Sequence, residues 1–90
     1  MKIYKYEISP PNPNGDSFAS IPEGGEILSA GVQGDNIFLW AAVDPSAPMS
    51  RRNIRVYGTG WEVDGAPGTF INTVFMHGGT LVFHVFEDVK

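Results

Sequence analysis

Ninety residues is one small domain, and a chain of this size buries about 60–65% of the surface its unfolded form exposes. The absence of cysteine excludes disulfides, thiolate metal sites and cysteine nucleophiles together, and a net charge of −4 argues against a dedicated nucleic-acid binder. Eleven glycines and seven prolines, in a chain 42% hydrophobic and 18% charged, favour a folded protein of turns and short strands over long helices.

In chain order, residues 2–8 (KIYKYEI) read as a short strand stopped by Pro10-Pro11. Residues 11–20 follow with Asn12-Pro13-Asn14-Gly15 and read as an exposed connection. Glu26–Gln33 and residues 36–44 read as a hairpin around Gly34-Asp35, where a glycine in first place suits a type II′ turn. That register pairs Gln33 with Asn36, Ala30 with Leu39 and Leu28 with Ala41. One face is then uniformly apolar (Leu28, Ala30, Val32, Ile37, Leu39, Ala41), and a slip of one residue would mix the faces. The other face carries Phe38 opposite Gly31 and Trp40 opposite Ser29. It is either covered by residues 10–21, with Phe18 and Ile21, or left open as an interface centre.

Residues 44–53 read as a loop, and residues 53–60 as a fourth strand. Residues 61–68 hold Asp64-Gly65, Pro67 and Gly68, and should be irregular. Residues 70–77 and 80–87 form a second hairpin around Gly78-Gly79, pairing Val74 with Phe83, Thr73 with His84 and Ile71 with Phe86. Both faces of this ribbon are apolar: Val74, Met76, Leu81, Phe83 and Val85 on one, Ile71, Phe75, Val82 and Phe86 on the other. An antiparallel sheet with one solvated face should alternate instead. Either a second layer covers these strands or another copy of the chain does, and the small amount of remaining chain favours self-association. The expected fold is all-β, a single domain over residues 1–90 with about six short antiparallel strands in a small barrel or sandwich.

Four segments carry a family resemblance: KIYKYEI at 2–8, IPEGGEILSAGVQGDNIFLWAAVDP at 21–45, GTG at 58–60 and GGTLVFHVFE at 78–87. In these the chain resembles a family of small phage and prophage proteins with no assigned activity. The resemblance implies a one-domain protein in a phage-type context, and carries over no catalytic residue.

His77 and His84 are the only histidines, and the register separates them by more than ~10 Å, too far to share an ion. His84 is expected to be half-buried and hydrogen-bonded to Thr73 or to a neighbouring strand. No serine sits in a GxSxG elbow, and Glu62 and Asp64 beside Trp61 read as an acidic turn at an anchoring ring. Gly58-Thr59-Gly60 and His77-Gly78-Gly79-Thr80 match no phosphate-binding fingerprint.

Arg51, Arg52 and Arg55 are half of the basic residues, gathered within five positions of an acidic chain. Guanidinium forks bind phosphate and carboxylate bidentately, and Tyr57 and Trp61 lie close by as stacking surfaces. These five residues form the candidate ligand site, against the alternative of a solvated loop whose arginines pair with nearby acids. The expected function is a non-enzymatic, homo-oligomeric binding protein of phage type. It would engage a host protein or a small anionic, nucleotide-like ligand, with interference in bacterial defence as one form. The alternative is a structural or accessory virion protein. No cofactor, metal or membrane partner is expected. No run approaches the ~20 apolar residues of a membrane span, and residues 1–8 lack a signal-peptide core, so the expected place is the cytoplasm, the host's if phage-encoded.

Overall fold

The computed structural model describes residues 1–88 and shows seven strands. They are β1 (Lys2–Glu7), β2 (Asp16–Pro22), β3 (Glu26–Gln33), β4 (Asn36–Val43), β5 (Met49–Gly58), β6 (Thr69–Met76) and β7 (Leu81–Glu87). Every pairing is antiparallel, and two sheets result, with strand orders β1-β4-β3 and β2-β5-β7-β6. The sheets do not close on each other but pack face to face as a sandwich, so the all-β expectation holds. Among the described residues no helix is long and apolar enough to cross a membrane.

The first hairpin follows the expected register from Gln33↔Asn36 to Ser29↔Trp40. Its turn places Gly34 at φ 61 while Asp35 keeps a negative φ, the combination a type II′ turn requires. Near its open end the register shifts between Ile27 and Ser29, so Ile27 faces Ala41. Leu28, expected on the inner face, is the extra residue of a bulge and is 45% exposed. A similar shift between Phe70 and Asn72 alters the second hairpin. Phe70 rather than Ile71 opposes Phe86, and Ile71 packs on the core. Asn72 there accepts a hydrogen bond from the Ala30 backbone N–H, joining β6 to β3 of the other sheet. Closer to the turn, Thr73↔His84, Val74↔Phe83 and Met76↔Leu81 stand as the alternation dictates.

β2 is the strand that residues 11–20 conceal. Its inward side chains are Ser17, Ala19 and Ile21, all buried, while Phe18 and Ser20 face out. Two of those three inward residues are small, so the apolar alternation that marks a strand is faint. β2 pairs with the first half of β5, from Asp16↔Arg55 to Pro22↔Met49. That pairing draws Met49 to Arg52 out of the expected loop and into the sheet. Residues 10–21 therefore supply a strand of the second sheet and do not lie over Trp40, which packs on Gly31 instead.

The inner faces meet in a core whose largest fully buried members are Ile21, Leu39, Val43, Ile54, Val56 and Val85. Two placements on β2 separate a strand from a loop by experiment. Ile21→Ala should lower stability by about 2–5 kcal/mol in urea unfolding, as a core truncation does, while Phe18→Ala should cost under about 1 kcal/mol. Equal and small losses at both would show that residues 16–22 are not packed as a strand.

Candidate functional site

β5 carries all three arginines, and its alternation sends them to opposite sides of the sheet. Arg52 lies in line with Ile54 and Val56 on the inner side, whereas Arg51, Asn53, Arg55 and Tyr57 lie on the outer side. The cluster seen in the sequence is thus divided. Arg52 donates to Glu87 through Nε (2.5 Å) and Nη2 (2.9 Å), and to the Gly25 carbonyl through Nη1 (2.7 Å). Its fork is filled from within the chain. Arg55 places Nε 3.1 Å from an Asp16 oxygen and Nη1 3.6 Å from Asp88. Arg51 lies over the Phe18 ring at 4.0 Å and donates to Asn53. Arg51 and Arg55 do share a shallow groove with Phe18, Asn53, Asp16 and Asp88, in which two carboxylates offset the two cations.

Tyr57 and Trp61 line an open groove together with Arg55, beside the carboxylates of Asp16, Glu62 and Asp64. Tyr57 is 3% exposed, edge-on to Phe86 with the Arg55 guanidinium 5.5 Å from its ring, so it offers no open stacking surface. Its hydroxyl is buried with no hydrogen-bond partner among the described residues. Trp61 is 50% exposed and borders both that groove and the inner side of the sheet. A turn closed by the Trp61 N–H on the Gly58 carbonyl, with Gly60 at φ 87, folds the indole back over Gly58. A Cβ at position 58 would lie 2.6 Å from the ring, so only glycine leaves it room. The indole meets Phe83 edge-on, with centroids 5.9 Å apart at 80°.

Trp61 thereby forms one wall of an apolar cleft of about 290 Å³ at one end of the sandwich. Ile8, Ile37, Val56, Met76, Leu81 and Phe83 line it, each brought there because a strand begins or ends at that level. Glu7 and Asp35 stand among the lining residues, both exposed to solvent. Sequence reasoning named Trp61 but missed the rest. The available signal was that Pro10-Pro11, Gly34-Asp35, Gly58–Gly60 and Gly78-Gly79 all mark strand ends, and antiparallel order puts these four at one end of the molecule.

His84 accepts or donates at both ring nitrogens, with Thr73 Oγ1 3.0 Å from Nδ1 and Thr59 Oγ1 2.9 Å from Nε2. Among the described residues no group of three His, Cys, Asp or Glu is placed to hold a metal ion.

Fold and site together define a class: a small two-sheet β domain with one arginine-closed end and one apolar, tryptophan-walled end. The chain belongs to the family DUF7352, described as a domain of unknown function, whose model matches residues 1–90. That description assigns neither an activity nor a phage origin. No curated protein and no solved structure matches the chain.

Two outcomes test the internal roles of these residues. Arg52→Ala leaves the Glu87 carboxylate partly buried and unpaired, and should cost about 2–3 kcal/mol in urea unfolding. The Arg52→Ala/Glu87→Ala pair should recover part of that loss, and strictly additive losses would refute the coupling. Tyr57→Phe removes a buried hydroxyl that has no hydrogen-bond partner among the described residues, and should leave the melting temperature unchanged or raise it. A drop worth more than about 1 kcal/mol would show that the hydroxyl is bonded.

Proposed function

We propose that this chain is a non-enzymatic binding domain whose site is the apolar cleft at the tryptophan end. The observation that carries the reading is the placement of Trp61. A half-exposed indole fixed by Gly58 and Phe83 at the edge of an apolar cleft presents a rigid ring to a ligand at little further entropic cost. The lining suits a small ligand site, mainly aliphatic and aromatic with few polar groups.

The ligand this favours is not the anionic one expected from the arginine count. Arg52 is held by Glu87, and Arg55 lies beside Asp16 and Asp88, while the charged residues lining the cleft are Glu7 and Asp35. An apolar or aromatic group with a positively charged or hydrogen-bond-donating end fits that distribution.

Amide shifts of the labelled full chain, titrated with a panel of small aromatic amines and aromatic acids, test the reading. The amines should move the resonances of Ile8, Asn36, Leu81 and the Trp61 indole N–H. Trp61→Ala should weaken them at least about tenfold, as the loss of a ring anchor does. Gly58→Ala should act in the same direction, because its Cβ evicts the indole. Shifts gathered around Arg51 and Phe18, or none at millimolar ligand, would defeat it.

A further inference from the structure

We propose that the outer face of β6 and β7 is a self-association surface whose occupant is a second copy of this chain. From Thr69 to Phe86 the sequence holds no Asp, Glu, Lys or Arg, although the chain as a whole is charged at −4. The register turns that stretch into one sheet face. Phe70 meets Phe86 edge-on with centroids 5.4 Å apart, and Phe75 stands opposite Val82. Phe70 is 53% exposed and Phe75 62%, two large rings in water on either side of the Thr73 row of a strand at the sheet's end.

The polar groups between those rings favour dehydration of the face. Both nitrogens of His84 are engaged, one by Thr73 and the other by Thr59, so covering the row orphans none of the three side chains. β6 also lacks the Lys and Pro that blunt exposed end strands against pairing with other chains.

Charge selects the occupant. Two copies of a −4 chain repel each other, and the repulsion is least where neither side carries a formal charge. A cationic partner would be drawn to the carboxylates, which this face does not have. An uncharged, ring-bearing face matches itself, which is what a two-fold contact between identical surfaces requires. Met76 and Phe83 point to the inner side of the same hairpin, so a copy seated on the outer face leaves the end cleft open.

Light scattering and sedimentation of the full chain from low to hundreds of micromolar test this. The expected result is a dimer whose dissociation constant rises at least about tenfold in Phe75→Glu, with folded-state circular dichroism retained. Ile3→Glu, on the exposed outer face of the first sheet, should leave that constant unchanged. The chain has no cysteine, so Phe75→Cys provides a second reading should Phe75→Glu fail to fold. On mild oxidation it should cross-link to a covalent dimer much faster than Ile3→Cys. A wild type that stays monomeric throughout, a dimer lost in Ile3→Glu but kept in Phe75→Glu, or equal cross-linking of the two cysteine variants would each overturn the proposal.

Discussion

Arg52 occupies an inward position on β5, in line with Ile54 and Val56, where a cation would ordinarily be excluded. It stays there because Glu87 takes two of its N–H groups and the Gly25 carbonyl a third. The three groups come from β5, from the end of β7 and from the turn between β2 and β3, so one side chain ties together strands that enter the core from distant parts of the sequence. Much else follows from that bond. It finishes one end of the core with a charged lid in place of apolar side chains. It removes the central arginine of the cluster from ligand chemistry. It also fixes the level of β7 against β5, and with it the row in which Tyr57, His84 and Thr73 stand side by side.

Both hairpins were legible because two local constraints agreed. Gly34-Asp35 and the glycines at 78 and 79 marked the turns, and alternation then allowed only one register, since a one-residue slip would have put Leu39 or Val85 in water. The contact between Thr73 and His84 followed from that register alone. Where a bulge interrupts the ladder the same logic fails locally. Leu28 and Ile71 exchange faces with their neighbours, and no turn residue or proline announces it.

β2 failed to show for a different reason. Its inward residues are Ser17, Ala19 and Ile21, and the serine is tolerated in a buried place because its hydroxyl donates to the Ser9 carbonyl. Propensity cannot see a partner that lies eight residues away in a proline-rich segment. Missing β2 also hid the first half of β5, since Met49 to Arg52 are extended through pairing rather than through their own preference. The arrangement of the arginines depends on that pairing. Three cations within five residues converge if they lie on a loop, whereas a strand turns Arg52 inward and leaves Arg51 and Arg55 on the outer side.

The two ends of the sandwich differ because of what the strands supply there. At the Arg52 end an inward side chain takes a carboxylate from the neighbouring strand and the Gly25 carbonyl from the turn that leads into the other sheet. At the other end the inward position of β5 is Gly58, which supplies nothing, and the missing volume is filled by Trp61 folding back three residues later. A ring that arrives from the connection after the strand is held by a turn and an edge contact with Phe83, not by the ladder itself. It therefore covers part of the opening and leaves the remainder lined by Ile8, Ile37 and Leu81. A larger residue at position 58 would close that end with the strand's own side chain and abolish the cleft. The glycine is thus what leaves this end open as a cleft, while Arg52 makes the opposite end a seal.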